Sequence, residues 1–214
     1  MKCLICGNDT ISYPHPKFDM LFHECEHCQF IFKDEKNYPS EDLEFKKYEE
    51  HQNDDQNLGY VNFLTNFIDS AVIPYIKKGR ALDFGSGPNP VLAKILENDY
   101  FFEVDIYDYF YAPDKIYESK TYDLITSTEV VEHLRNPLQA FRLFYNHLNP
   151  NGILSILTLF HPNDREELFK WHYIRDVTHV CFFTPVTMKK IAELCEFELI
   201  STNHYRYTVF KKTI

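Results

Sequence analysis

A glycine-rich loop between an apolar strand and a helix is the feature that most constrains the fold of this chain. Residues 81–84 form an apolar run that passes into Gly85-Ser86-Gly87, and a helical pattern follows from residue 91. Such a loop places backbone N–H groups and a helix N-terminus beside a ligand. Dinucleotide-binding loops carry a third glycine for close helix packing, but Pro90 holds that position here. The loop therefore favours a nucleoside cofactor over a dinucleotide.

Strand-like and helix-like segments alternate downstream of this loop, which predicts a mostly parallel sheet covered by helices. The last two strands are joined by only a few residues, so they must be antiparallel. We predict strands over 81–84, 103–108, 122–126, 153–159, 197–201 and 207–211, and helices over 91–96, 137–148 and 187–195.

Four of the six cysteines lie near the N-terminus as two Cys-x-x-Cys pairs. Two thiolates at this spacing can face one ion, and two such pairs complete a tetrahedral zinc site. Disulfides are disfavoured in a cytosolic setting. The predicted structural zinc ligands are Cys3, Cys6, Cys25 and Cys28.

The composition bears on partners and location. The formal charge is −10, with 32 acidic against 22 basic residues, which disfavours a nucleic-acid partner. No apolar run approaches the roughly 20 residues that cross a bilayer. The first residues also lack the apolar stretch of a signal peptide. We therefore expect a cytoplasmic protein without a membrane span.

Three regions follow from these patterns. A zinc ribbon is predicted over 1–36, and a helical linker that packs on the catalytic domain over 37–79. Within the linker, 38–57 is polar with a loosely amphipathic helical pattern, and 58–76 has apolar residues at helical spacing. The catalytic domain is predicted over 80–214.

The ordered motifs of residues 80–152 resemble those of class I S-adenosylmethionine-dependent methyltransferases. The resemblance rests on 82–87, on Asp108 at the end of a strand, on 122–133 and on 148–152. With its cysteines, the whole chain resembles a bacterial group of zinc-ribbon methyltransferases. The family implies a Rossmann-like, seven-stranded, mostly parallel sheet whose last strand is reversed. The stretch 108–122 departs from it, being too short for a full helix and strand.

The resemblance also implies a cofactor site. Asp83, Gly85 and Gly87 line the methionine tail, and Asp108 binds the ribose, which its place at a strand end also favours. Thr128 and Glu129 form the far wall of the site. The full predicted cofactor set is Asp83, Gly85, Ser86, Gly87, Asp108, Tyr109, Thr128 and Glu129.

A second group of residues suggests catalytic chemistry. Glu129, Glu132 and His133 share one face if a helix starts just after the strand that precedes them, and His179 lies in a predicted loop. Two carboxylates and two imidazoles suit a divalent ion, and the arrangement is similar to that of small-RNA 2′-O-methyltransferases and ubiquinone-pathway O-methyltransferases. A metal-free role, with the histidine as general base, and a purely structural role stay open.

Three functions follow from these features. The first is O-methylation of a small-molecule or lipid-type acceptor, favoured by the acidity of the chain and its aromatic C-terminal half. The second is an RNA methyltransferase that contacts RNA through the ribbon. The third is a non-catalytic, zinc-binding interaction module, against which the intact glycine loop and Asp108 argue.

Overall fold

The structure, a computed structural model, describes residues 1–50 and 54–213. The strands are β1 (Ile11–Pro14), β2 (Leu21–Cys25), β3 (Phe30–Lys33), β4 (Arg80–Phe84), β5 (Glu103–Tyr107), β6 (Tyr122–Thr128), β7 (Leu148–Leu157), β8 (Cys181–Phe182), β9 (Phe197–Thr202) and β10 (Tyr207–Lys212). The α-helices are α1 (Glu41–Glu49), α2 (Leu58–Ala71), α3 (Val91–Tyr100), α4 (Pro137–His147), α5 (Arg165–Lys170) and α6 (Pro185–Leu194). Short 3₁₀ turns cover Glu35–Asn37, Ile116–Ser119, Val131–His133 and His172–Arg175.

The larger sheet has the strand order β5-β4-β6-β7-β10-β9. Strand β4 pairs in parallel with β5 and β6, and β6 pairs in parallel with β7. The last strand, β10, is antiparallel to both β7 and β9. The predicted Rossmann-like α/β fold is confirmed, including its reversed last strand and closing hairpin.

The sheet has six strands rather than the seven that the resemblance implies. Between β5 and β6 the chain forms only an isolated bridge between Asp108 and Ala112 and the 3₁₀ turn Ile116–Ser119. A parallel crossover needs a dozen or more residues before the next strand can begin. This connection therefore has no room for a further helix and strand.

Helices cover both faces of the sheet. On one face, α2 and α3 bury Leu64, Ile68 and Leu96 against the strands. On the other face, α4 and α6 bury a ring-rich core that includes Phe141 and Phe144. The helix predicted over 58–76 begins as expected, with Asn57 as its N-cap, and ends earlier, at Ala71. Among the described residues, no helix is both long and apolar enough to span a bilayer.

The smaller sheet joins the N-terminal region to the rest of the chain. Its order is β1-β2-β3-β8, so three strands come from the predicted zinc ribbon and the fourth from residues 181–182. Ile31 pairs with Phe182, and Phe32 pairs with Cys181, in antiparallel register. The division into 1–36, 37–79 and 80–214 stays a prediction, and this pairing crosses its boundaries.

The polar part of the predicted linker forms one short helix. Helix α1 begins after Ser40, whose side chain accepts a hydrogen bond from the Leu43 amide, and it ends at Glu49. None of its residues is buried. The helical pattern predicted over 38–57 includes residues 51–53, which lie outside the described residues.

Candidate active site

A cavity of about 710 Å³ opens beside the C-terminal ends of β4, β5 and β6. In open α/β sheets ligands bind at this edge. All the residues of the predicted cofactor set line the cavity: Asp83, Gly85, Ser86, Gly87, Asp108, Tyr109, Thr128 and Glu129. The fold therefore brings together residues that are far apart in sequence, while their contact with a cofactor stays a prediction.

The glycine loop is fixed by hydrogen bonds to the end of β5. The Gly85 and Ser86 amides donate to the Tyr107 carbonyl at 2.7 and 3.2 Å, and the Gly87 amide donates to Asp108 Oδ2 at 2.9 Å. Gly85 and Gly87 have φ angles of +90° and +66°, a region that glycine adopts without steric cost. The loop is thus preformed, with Asp108 beside it.

Asp83 lies at the floor of the cavity and is almost fully buried, with 2% of its surface exposed. Its Oδ1 accepts a hydrogen bond from the Thr126 hydroxyl at 3.1 Å. Burial raises the pKa of Asp83 to about 7, and the negative charge of Asp108 adds to the rise. A cationic ligand group beside Asp83 would favour its ionised form.

Glu132, His133 and His179 converge at one side of the cavity. Each offers a ligand atom, and these atoms lie within 4.8 Å of one another. His133 and His179 line the cavity, whereas Glu132 lies behind them, fully buried. Glu129, the fourth member of the predicted catalytic group, lines the cavity but is not part of this cluster.

The prediction that Glu129, Glu132 and His133 share one face of a helix is wrong. Glu129 has a φ of +54°, and the chain then makes a single 3₁₀ turn over Val131–His133 instead of an α-helix. The next helix, α4, starts only at Pro137, after its N-cap Asn136. Glu132 and His133 therefore meet His179 through the loop that precedes β8, and not through helical spacing.

The two histidines are held in a defined orientation. His133 Nδ1 lies 3.1 Å from the Thr178 carbonyl, and His179 Nδ1 lies 2.8 Å from the Tyr173 carbonyl. A carbonyl oxygen only accepts hydrogen bonds, so each Nδ1 carries a proton, and the neutral form of each ring has its lone pair on Nε2. Metal-binding histidines show the same arrangement, with the second ring nitrogen bonded to a carbonyl or carboxylate.

Tyr173 links the two glutamates. Its hydroxyl lies 3.0 Å from Glu129 Oε2 and also hydrogen-bonds to Glu132 Oε1. Burial and the charge of Glu129 raise the pKa of Glu132 well above its usual range. The second oxygen of Glu132, Oε2, is buried without a hydrogen-bond partner. From the sequence, Trp171, His172 and Tyr173 could roof an acceptor pocket, although an aromatic cluster is more often part of a core. The link from Tyr173 to the two glutamates was not predicted.

Helix α1 and aromatic side chains form the mouth of the cavity. Tyr109 and Tyr111 donate hydrogen bonds to Glu41 and Glu49 of α1 at 3.0 and 3.1 Å. The carboxylates of Glu41, Glu44 and Asp176 also line the cavity, as do the rings of Tyr48, Tyr60, Phe63 and Phe110. The cavity lining is therefore acidic and ring-rich.

The four predicted zinc ligands form one cluster in the N-terminal region. Their sulfur atoms lie within 4.8 Å of one another, with 3.6 Å between Cys3 and Cys28 and 3.4 Å between Cys6 and Cys25. A tetrahedral ion with Zn–S bonds of about 2.3 Å separates sulfurs by about 3.8 Å. All four are free thiols, so their spacing fits zinc and not a disulfide.

The second Cys-x-x-Cys turn is docked on the rest of the chain. Gln29, which follows Cys28, has a φ of +58°, and its carbonyl accepts a hydrogen bond from His161 Nε2 at 2.8 Å. The Thr184 hydroxyl donates to Gln29 Oε1, and the Thr187 hydroxyl donates to the Cys28 carbonyl. The cysteine cluster therefore lies against the N-terminus of α6.

An open α/β sheet with a preformed glycine loop, an acid at the next strand end and a cavity between them defines a protein that binds a nucleoside-type cofactor. Residues 51–202 match the family described as Methyltransferase domain. The chain belongs to this family and is a class I S-adenosylmethionine-dependent methyltransferase. The non-catalytic alternative is thereby set aside.

Solved structures show the same fold. A mitomycin 7-O-methyltransferase superposes with a TM-score of 0.57 at 11% identity, covering 79% of this chain and 60% of that one. An O-methyltransferase family protein from Burkholderia thailandensis gives 0.52 at 11% identity, covering 71% and 55%. The chain thus spans little more than half of each. The comparison with curated proteins gives no match.

Proposed function

We propose that this methyltransferase transfers the methyl group of S-adenosylmethionine to an oxygen atom of a small-molecule or lipid-type acceptor. One observation carries the proposal: His133 and His179 line the cavity that also contains the glycine loop and Asp108, and the buried Glu132 has a ligand atom within 4.8 Å of theirs. The cavity of about 710 Å³ lies in the usual size range of ligand pockets, roughly 300–1,000 Å³.

The cofactor half is assigned from the positions of its residues. The buried carboxylate of Asp83 would pair with the ammonium group of the methionine portion, which would lie against the glycine loop. Asp108 would face the ribose, and its oxygens, already fixed by the Gly87, Phe110 and Tyr111 amides, would accept hydrogen bonds from the ribose hydroxyls. The remaining wall is formed by Ser86, Tyr109, Thr128 and Glu129.

The acceptor half fits a divalent ion held by Glu132, His133 and His179. Ligand atoms about 2.1 Å from an ion lie up to about 4.2 Å apart, close to the spread observed in this cluster. The unpartnered Oε2 of Glu132 and the orientation of both histidines support the same assignment. A divalent ion held by these residues would lower the pKa of a coordinated hydroxyl.

The transfer itself needs the acceptor oxygen in line with the sulfonium methyl group. A C–O bond forms as the C–S bond breaks, and the electron pair of that bond leaves with sulfur as S-adenosylhomocysteine. In the metal-free alternative His133, which lines the cavity, would take the acceptor proton; with an ion held by His133, that proton would pass to water. Glu129 stays tied to Glu132 through Tyr173, which keeps the carboxylates in position.

Two features of the charged residues disfavour an RNA acceptor. The mouth of the cavity carries Glu41, Glu44 and Asp176, which repel a phosphate backbone. Of the ribbon lysines, Lys33 is buried and Lys2 pairs with Asp9 at 2.9 Å. This leaves the ribbon without a continuous basic face for RNA.

Calorimetric titration with S-adenosylhomocysteine tests the cofactor half. We expect micromolar binding by the purified protein and loss of binding in Asp108→Ala. Tyr205→Phe changes an exposed residue outside the cavity and serves as the control. It should bind S-adenosylhomocysteine as the wild type does. No binding by a folded wild-type protein would refute the assignment of the cavity.

A methyl-transfer screen with and without Mn²⁺ tests the acceptor half. Hydroxylated small molecules and lipids are compared with RNA as acceptors. His179→Ala should abolish transfer and Mn²⁺ binding but retain S-adenosylhomocysteine binding, whereas His172→Ala, an exposed histidine of the same segment, should leave all three unchanged. Transfer that withstands chelation but is lost in His133→Ala would favour the metal-free general base, and methylated RNA would overturn the small-molecule proposal.

A further inference from the structure

Lys33, the last residue of β3, is a buried cation that does not belong to the cysteine cluster. Only 1% of its surface is exposed, and its ammonium donates a hydrogen bond to the Asp176 carbonyl at 2.7 Å. Burial lowers the pKa of Lys33 to about 8, while the Asp176 charge opposes the shift. Lysine is almost never fully buried unless it is paired, because removing an ammonium from water is costly. The hydrogen bond to the Asp176 carbonyl therefore offsets part of the cost of burying the Lys33 ammonium.

Asp176 begins a short segment, residues 176–180, that reaches the active site. Asp176 Oδ1 accepts hydrogen bonds from the Thr178 amide at 2.9 Å and from the Thr178 hydroxyl at 2.6 Å. The Thr178 carbonyl orients the His133 ring, and the next residue is His179. Both histidines of the cluster thus depend on the path of this segment.

Strand β3 holds the segment at its other end as well. The Lys33 amide donates to the Val180 carbonyl at 2.8 Å, and the Val180 amide donates to the Glu132 carbonyl at 2.8 Å. Lys33 therefore holds residues 176–180 at both ends, by its side chain and by its backbone. Through Val180 the same path reaches Glu132.

We propose that Lys33 is a positioning residue of the active site, which fixes the 176–180 segment so that His133, His179 and Glu132 keep their mutual geometry. The zinc ribbon is then a structural support of the acceptor side, rather than a separate binding module. The identity of the ligand at this cluster rests on the proposed function, but the positioning role does not depend on it.

The cofactor side is held differently, which gives the proposal a selective readout. The glycine loop and Asp108 hydrogen-bond to each other and to Tyr107, Phe110 and Tyr111. The hydrogen bonds of Lys33 go instead to residues 176 and 180. Loss of the ammonium should therefore loosen the acceptor side and spare the cofactor.

Hydrogen exchange of the full-length protein tests the positioning role directly. Lys33→Met keeps the apolar stem but removes the donor, and we expect the Thr178 and Val180 amides to exchange at least about tenfold faster. Lys36→Met changes an exposed lysine of the same region and should exchange as the wild type does. If Lys33→Met does not fold, Lys33→Gln, which keeps an N–H donor, takes its place and should show a smaller increase.

Titrations with two probes complete the test. Lys33→Met should bind S-adenosylhomocysteine as the wild type does and bind Mn²⁺ about tenfold more weakly, the usual effect of disturbing residues behind metal ligands. Unchanged exchange over 176–180 in a folded Lys33 variant would overturn the positioning role. Absence of Mn²⁺ binding by the wild type would instead overturn the proposed metal, with the exchange result still deciding for Lys33.

Discussion

Gly85 and Val130 lie in direct contact across the cavity wall. A β-carbon on Gly85 would come within 2.2 Å of Val130 Cγ2, and the φ of Gly85 is +90°. Gly85 follows β4 and Val130 follows β6, so the contact joins the glycine loop to the segment that carries Glu132 and His133. Both the close approach of Val130 and the left-handed backbone conformation require glycine at position 85.

Gly85→Ala should be clearly more destabilising than Gly87→Ala. A β-carbon on Gly87 would meet no atom within 4 Å, although its φ of +66° is also left-handed. We expect a loss in the free energy of unfolding of about 1 kcal/mol for Gly87→Ala from the backbone alone. Overpacking against Val130 should bring the loss for Gly85→Ala to about 3 kcal/mol.

Urea unfolding of the two variants measures this difference. Adding Val130→Ala to Gly85→Ala removes the obstructing methyl groups and should recover part of the loss, relative to Val130→Ala alone. The backbone strain at Gly85 remains in the double variant, so recovery should be incomplete. Equal losses for Gly85→Ala and Gly87→Ala would show that the contact with Val130 is unimportant.

Asp83 should make stability and cofactor affinity depend on pH in opposite directions. Its folded-state pKa of about 7 lies above the value of about 3.9 for an unfolded chain. Its contribution to stability is therefore present at low pH and falls as the pH rises from about 4 to about 7. The ammonium group of the methionine tail pairs with the ionised form of Asp83, so the affinity for the cofactor should fall as the pH drops below 7.

Asp83→Asn separates the two effects. Without the cofactor, the variant should be more stable than the wild type at pH 8, by on the order of 2 kcal/mol, and should bind S-adenosylhomocysteine more weakly. Other buried acids such as Glu132 are present in both proteins. The difference in stability between the wild type and Asp83→Asn at each pH therefore reports the ionisation of Asp83. Urea unfolding and calorimetry at pH 5 to 8 check this, and parallel pH profiles would contradict it.

The sequence was sufficient to predict features that depend on local pattern. The alternation of strands and helices, the loop at Gly85 and the grouping of four cysteines each follow from residue type and spacing, and the sheet follows from the alternation. It was also predictable that the proposed cofactor residues would line one cavity, because the ends of neighbouring parallel strands meet at one edge.

Other features arise only from tertiary contacts. The pairing of β8 with β3 and the burial of Lys33 join residues about 150 positions apart in a chain of 214, and no local pattern marks them. The turn at Glu129 replaced the expected helix, since neither its left-handed backbone nor the 3₁₀ turn after it has a strong sequence signal.

Removal of zinc should destabilise the contact between the ribbon and α6. Cys28 is fully buried, and its carbonyl accepts a hydrogen bond from the Thr187 hydroxyl at 2.9 Å. A small metal site supplies most of the folding energy of such a segment. We therefore expect Cys28→Ser to lose zinc and to unfold at lower temperature, with faster hydrogen exchange over 28–33 and 181–187.

One of the two buried cysteines outside the cluster provides the control. Cys195 is also buried but lies outside the sulfur group, so Cys195→Ser should retain zinc. Metal analysis and thermal unfolding of both variants distinguish the roles. Full zinc content in Cys28→Ser would contradict the four-cysteine site.

Helix α1 should be less accessible when cofactor is bound. No residue of α1 is buried, and the helix is joined to the 108–112 hairpin by the bonds from Tyr109 to Glu41 and from Tyr111 to Glu49. The same hairpin carries Asp108, so a ligand that binds Asp108 should also order the hairpin to which α1 is bonded. Ligand binding to the closed arrangement reduces its local opening by mass action.

Limited trypsin digestion measures this coupling at Lys46 and Lys47, which lie in the last turn of α1. S-adenosylhomocysteine should slow cleavage there and leave cleavage after Lys77 and Lys78 unchanged, since those exposed residues lie beyond α2. A variant with phenylalanine for both hairpin tyrosines keeps the rings but loses the two hydrogen bonds, so its α1 should be cleaved faster and be less protected by ligand. Equal protection at both sites would mean that the ligand stabilises the whole fold, and that α1 has no specific link to the cofactor.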